Sequence, residues 1–385
     1  MRKWSLAIAA LVVAALIGAE IASREHARGQ GGVAHDAVIG YVLAPADPSP
    51  RATNNLGLRR AIDTVVPKPA DVDRVLVLGD AQTAGRLENS STFSAVLERA
   101  LGGATGRVEV LNAGVAGYSP LLELLWLEER GWALEPDIVV LVLSAGDDLG
   151  ELTMDRARLD DSPLAPRVAT LVRGQGGWQI LRPGAPDRLA TADAWLQAHS
   201  QAWALLRASL PGSTPPPADD LGSVAEQCLG CPRGLWQAGV AQRRPDDYAL
   251  APLKLREILK RLRTAAAAHG ARLIVAILPT KLDVEPETVS PGVARAAEIL
   301  GLKDPPGVTV QTARSQILAA CGAEQLETID LTGPLEHAYS QSGGAQYDDL
   351  WNLNTLGHQT VAATLQPRLA TLLRAGRGEA SAGQK

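Results

Sequence analysis

The sequence predicts an α/β protein: a doubly wound parallel sheet covered by helices on both faces, with a helical insertion. Two observations carry that expectation and a third bounds it. Short, near-continuous apolar runs recur at 75–78, 108–111, 138–143, 273–278 and 327–331, as strands buried on both faces require. Amphipathic helical patterns separate them, which is the rhythm of parallel strands joined by crossover helices. At 385 residues with 46% hydrophobic and 21% charged content, the chain can bury one large core or two small ones.

At the N-terminus, Arg2 and Lys3 precede a stretch from Trp4 to Ala19 that carries no charge before Glu20. That is the layout of an export signal. Extended through Ala22, residues 1–22 also approach the roughly 17–25 residues of a short spanning helix. Ile17 occupies the −3 position for cleavage after Ala19, so an uncleaved anchor and a cleaved signal both stay open. Either way the basic flank remains inside and the body lies outside the cytoplasm, membrane-anchored or secreted. Polar residues from Ser23 open a linker and lead-in over 23–72, which contains Ile39-Gly-Tyr-Val-Leu43 and Asn54-Asn-Leu-Gly-Leu-Arg59.

The main domain is expected over 73–375. Its helices are read at 91–101, 121–130, 253–268, 314–321 and 355–373, between and after the five strands. From about 150 to 248 the rhythm breaks into helical stretches, chiefly 191–210, and the breaker Pro211-Gly-Ser-Thr-Pro-Pro-Pro217. This segment is read as an insertion over the C-terminal edge of the sheet, where ligand crevices lie. Residues 376–385 are small and polar and read as a disordered tail. A net charge of −5, with no basic stripe, excludes nucleic acid as a partner. Cys228-Leu-Gly-Cys231 reads as a local disulfide outside the cytoplasm, leaving Cys321 unpaired or buried. Zinc would need more ligands nearby.

Four blocks carry a family resemblance. They are Leu78-Gly-Asp-Ala-Gln-Thr-Ala-Gly85, Leu111-Asn-Ala-Gly-Val-Ala-Gly-Tyr118, the run from Pro136 to Leu149 ending Ser-Ala-Gly-Asp-Asp-Leu, and Asp349-Leu-Trp-Asn-Leu-Asn-Thr-Leu-Gly-His358. Their order and spacing resemble the SGNH/GDSL hydrolase family of exported, membrane-attached type, across roughly 39–375 apart from the insertion. The resemblance implies a flavodoxin-like sheet, no cofactor, and an esterase cleft for a glycan or an acylated ligand. It places Ala81 at the nucleophilic serine, Gly117 at an oxyanion glycine, Asp147 at the oxyanion asparagine, Asp349 at the triad aspartate and Asn352 at the catalytic histidine.

In such a site serine attacks an acyl carbon, histidine takes its proton, and backbone and amide donors stabilise the oxyanion. Ala81 has no oxygen to attack with, and Asn352 is no base. Asp147 puts an acceptor where a donor should face negative charge. Losing one oxyanion donor costs roughly 10²–10³ in rate, and losing the nucleophile or base costs on the order of 10⁶. The expectation is a non-catalytic domain that binds a glycan, an acylated ligand or a partner through the old cleft. The alternative is an altered carbohydrate esterase or O-acyltransferase with a substitute group. Ser119 and His358 are the candidates for that role, against Ser90 and Ser91 as caps of the following helix. The other histidines (His26, His35, His199, His269, His337) fall outside the blocks and read as surface residues. Asp80, Asp147 and Asp349 should converge at the sheet edge. They could hold a divalent cation, although hydrogen bonds to backbone explain Asp80 and Asp349 as well, and no metal is expected.

Overall fold

The computed structural model describes residues 33–36, 38–45, 52–102, 107–157, 168–182, 233–289, 297–298, 302, 310–348 and 352–382. Nine strands are described: β1 (Val33–Asp36), β2 (Gly40–Leu43), β3 (Asp73–Leu78), β4 (Val108–Asn112), β5 (Ile138–Ser144), β6 (Thr170–Gly174), β7 (Gly177–Leu181), β8 (Arg272–Leu278) and β9 (Glu327–Asp330). The helices are α1 (Ala81–Ala84), α2 (Phe93–Ala100), α3 (Pro120–Trp126), α4 (Asp148–Ala157), α5 (Arg233–Arg243), α6 (Pro245–Ala268), α7 (Lys281–Val284), α8 (Val310–Ala323), α9 (Thr332–Ser342) and α10 (Thr355–Ala382).

Five strands form one sheet in the order β4-β3-β5-β8-β9, every neighbouring pair parallel. The chain starts near the middle, steps to one edge, returns, and fills the other side. That is the doubly wound order whose switch point lies between β3 and β5. The fold is therefore the α/β sandwich that the apolar runs predict, and each of the five expected strands is present.

Alternation along the strands divides the core into two layers. Leu76, Leu78, Leu111, Leu141 and Leu143 face one side with α3, α4, α6 and α8. Val75, Val77, Val110, Val140 and Val142 face the other with α2, α9 and α10. Burial on both faces explains why the strands read as continuous apolar runs rather than alternating ones.

Two hairpins lie outside this sheet, β1–β2 and β6–β7. The lead-in that follows β2 is fastened by Arg74 at the start of β3, whose side chain is fully buried. Its guanidinium donates to Glu109, to the Leu134 carbonyl and to the Val65 carbonyl. A buried cation is tolerable there because its donors are paired.

Within the region read as an insertion, α4 and β6 share the first core layer through Leu152 and Leu171, and α5 buries Leu235 and Val240. Gln237 on α5 donates to the Ala145 carbonyl and accepts from the Gly150 N–H. That places α5 over the C-terminal end of β5. The stretch 191–210, the proline-rich breaker and Cys228-Leu-Gly-Cys231 lie outside the described residues, as do residues 1–32. Cys321 is a free, buried thiol, raised to about 11 by burial.

Three sequence expectations need correction. The last helix continues past Gly376 to Ala382, where a disordered tail was expected; Arg377, Glu379 and Ala380 favour the helix enough to carry it through Gly376 and Gly378. The cap of α2 is Thr92, which accepts from the Ala95 N–H, while Ser90 and Ser91 lie in a separate 3₁₀ turn. The extended backbone at Thr92, not at the serines, aims a hydroxyl at the open helix end. Helix α3 is not the half-exposed helix of an amphipathic pattern, since every residue from Pro120 to Leu127 is buried.

Candidate functional site

The elbow after β3 is built by three residues. Gly79 is required because a Cβ there would lie 2.1 Å from Thr83 Oγ1. Asp80 caps α1, its carboxylate accepting from the Gln82 N–H at 2.7 Å. Ala81 then opens the helix, half-buried, with its carbonyl accepting from the Gly85 N–H. The backbone thus holds the Ala81 side chain at the C-terminal edge of the sheet, beside the switch point where α/β proteins bind ligands.

The second block is knitted to this elbow. Ala113 and Val115 N–H groups continue the ladder onto Val77 and Gly79 carbonyls. Asn112 donates to the Thr83 carbonyl and accepts from the Gly114 N–H. Gly114 packs so closely that a Cβ would lie 2.4 Å from the Ala84 nitrogen. Gly117 follows with φ +79°, and a Cβ there would meet the Tyr41 hydroxyl at 2.8 Å. The same hydroxyl donates to the Ala116 carbonyl, so the β1–β2 hairpin braces the loop that carries Gly117.

The third block ends β5 beside the first. Gln82 donates to Ser144 Oγ, and the Ser144 N–H donates to Asp148. Asp147, 4% exposed, precedes α4 and its carbonyl accepts from the Glu151 N–H. The structure therefore brings Ala81, Gly117 and Asp147 to the same edge.

The fourth block is held differently. Tyr347 and Leu353 form an isolated bridge, and the Asn352 carbonyl accepts from the Asp348 N–H. Gln346 and Tyr347 N–H groups converge on Glu285, after α7. Asn352 is buried in this loop, and Asp349 lies outside the described residues. His358, near the start of α10, is fully buried; its Nδ1 accepts from the Phe93 N–H and its ring stacks on Phe93. Burial and then the Arg59 charge lower its pKa to about 4. It is a core residue that fastens α10 to α2. Ser119 is 3% exposed, too enclosed to meet a substrate. The exposed His269 and His337 agree with a surface reading.

Behind the elbow stands a feature that motif reading missed. Glu123 on α3 is fully buried, and neither of its carboxyl oxygens has a hydrogen-bond partner. Burial raises its pKa well above the usual carboxylate range, and the neighbouring Asp80, Glu151 and Asp147 raise it further. Asp148 is raised likewise, by burial and then by Glu123, Asp147, Glu151 and Asp80. Five carboxyl groups thus share one region at the end of β3 and β5. Like charges cannot all ionise there, so the cluster retains protons. One signal was available in the sequence: Glu123 is the single charged residue between Pro120 and Leu127. Among the described residues, no three His, Cys, Asp or Glu side chains are placed to hold a metal ion.

Chemically, this edge offers no oxygen nucleophile at Ala81. It presents carboxyl groups where an acyl-transfer site needs donors facing a developing negative charge. A cleft of about 250 Å³ lies elsewhere, at the N-terminal edge of the sheet, lined by Lys68, Trp132, Glu135, Asp137 and His269. It is far from the four blocks and contributes nothing to their chemistry.

The fold and edge together define a doubly wound α/β protein whose strand-to-helix elbow after β3 carries a methyl group. Solved structures similar to this chain include LAE5, an alpha/beta hydrolase enzyme from the metagenome of Lake Arreo, Spain, at 13% identity and TM-score 0.37, covering 77% of this chain and 94% of that one. An acetyl xylan esterase, AlAXEase, matches at 12% identity and TM-score 0.39, covering 77% and 98%. The lipase/acylhydrolase from Enterococcus faecalis matches at 13% identity and TM-score 0.39, covering 78% and 96%. No family model and no curated protein matches the chain.

Proposed function

We propose that this chain is a non-catalytic domain on an SGNH-hydrolase-type frame, held outside the cytoplasm at a membrane. It uses the edge around Ala81 to bind a glycan, an acylated ligand or a partner protein. The observation that carries this reading is the methyl group of Ala81 at the elbow that Gly79 and Asp80 build. Asp147 supports the reading, because a carboxylate oxygen accepts where acyl transfer needs a donor. Ser119 and His358 are enclosed, which speaks against a substitute nucleophile or base.

A fluorophosphonate probe tests this reading on the purified full-length chain. It should label nothing above the level of heat-denatured protein. Stoichiometric labelling of a serine would overturn the reading and revive the esterase or O-acyltransferase alternative.

A further inference from the structure

We propose that the loop over residues 56–66 is a lipid-contact knob that dips into the membrane surface beside the N-terminal attachment. The proposal rests on the membrane attachment put forward above and adds to it a second, structured contact.

The loop inverts the usual order of burial. Ile62 is 62% exposed, Val65 60% and Val66 48%, and Leu56, at the other end of the segment, 36%. Large aliphatic side chains presented together on an ordered loop mark an interaction surface. The loop is ordered because polar side chains hold its backbone from below. Asn54 donates to the Ile62 carbonyl and to Thr64 Oγ1. Asn55 donates to the Thr64 carbonyl and accepts from the Thr64 N–H, while Asp63 accepts from the Asn55 N–H. Arg74 reaches the Val65 carbonyl. Leu58 stays buried and Asp63 is exposed beside Ile62, so the loop presents its aliphatic side chains around one carboxyl group.

Two observations choose lipid as the occupant. First, the charges at the base are committed: Arg60 pairs with Glu98 and Glu109, and Lys68 with Asp137. Aliphatic side chains above paired charges, with the Asp63 carboxyl group held by the Asn55 N–H, suit an interface whose outer layer is wet and whose interior is not. Second, the chain enters the described structure at the same corner. Val33 pairs with Leu43, and a Cβ on Gly57 would lie 2.5 Å from the Leu43 carbonyl oxygen. Gly57 in turn donates to the Asn54 carbonyl, beside the loop. Residues 20–32 bridge at most about 45 Å at full extension, so an anchored run from Trp4 to Ala19 keeps this corner near the bilayer.

The test places the full chain, residues 1–32 included, in phosphatidylcholine vesicles containing a minority of phosphatidylglycerol, with and without brominated acyl chains. Ile62→Trp adds an indole at the tip, and Leu318→Trp adds one on α8 as a control. With the wild-type emission subtracted, the Ile62→Trp indole should be blue-shifted and lose most of its emission in brominated lipid. The Leu318→Trp indole should keep its emission. Adding Val65→Asp to Ile62→Trp should restore emission. If the chain floats with vesicles but Ile62→Trp is quenched no more than Leu318→Trp, the knob proposal falls and the attachment stands. If the chain does not float, both fall. A concentration-dependent blue shift without lipid would assign the loop to a second copy and also overturn the proposal.

Discussion

At Ala81, one oxygen atom separates this chain from a nucleophile, and the elbow geometry needed to present it is already in place. The Asp80 carboxylate caps α1 and Gly79 clears Thr83, neither of which depends on the residue at 81. Ala81→Ser alone should give no detectable esterase activity, because the missing base is worth on the order of 10⁶ in rate. Ala81→Ser with Asp147→Asn and Asn352→His should give measurable hydrolysis of p-nitrophenyl acetate, assayed against the single variant. A folded triple variant without activity would show that the cleft itself has drifted, beyond the loss of those side chains. Glu123 supplies a second test at this scale. Its two oxygens are buried and unpaired, a desolvation cost of about 1–3 kcal/mol. Glu123→Leu should therefore raise stability by a comparable amount in urea unfolding at neutral pH.

Among the elements, the five sheet strands were legible because burial on both faces leaves an unmistakable apolar run. Helices α2, α3, α6, α8 and α10 were legible from their periodic patterns, and other features were hidden for identifiable reasons. β6–β7 forms a hairpin whose second strand is exposed on alternate residues, too short to show a period. α9 begins Thr-Gly-Pro, which reads as a turn although proline is tolerated in a first turn. α3 hid Glu123 because a helical period of leucines suggests one buried face, whereas α6 and the lead-in cover its other side. The spacing of the motifs located Ala81, Gly117 and Asp147, since strand-to-loop junctions in parallel sheets meet at one edge whatever the loops contain. It could not show that Glu123, Asp148 and Glu151 crowd behind them. The junction of the first two blocks is the tightest place in the fold. Gly114→Ala would press a methyl group into the backbone of Thr83 and Ala84 and should cost about 3 kcal/mol, read as a lower urea midpoint.

For the whole molecule, buried titrations of opposite sense bound the pH range of stability. His358 sits at about 4 rather than its ordinary 6.5. The unfolded chain binds that proton more tightly, so this contribution is full above about 6.5 and is lost toward pH 4, by roughly 3 kcal/mol. Glu123 and Asp148 are raised instead. There the native chain binds protons more tightly, so stability is full below the ordinary carboxylate range and declines as pH climbs through the raised values. Urea midpoints from about pH 4 to 9 should fall at both ends. His358→Asn should flatten the acid limb, and Glu123→Leu should flatten the alkaline limb.

The central claim is that no side chain of this protein captures an acyl group. Mass spectrometry of the intact full-length chain, quenched during exposure to p-nitrophenyl acetate, tests it directly. The account predicts no stoichiometric acetyl adduct on any hydroxyl side chain. An adduct that forms on one serine and turns over with substrate consumption would contradict it.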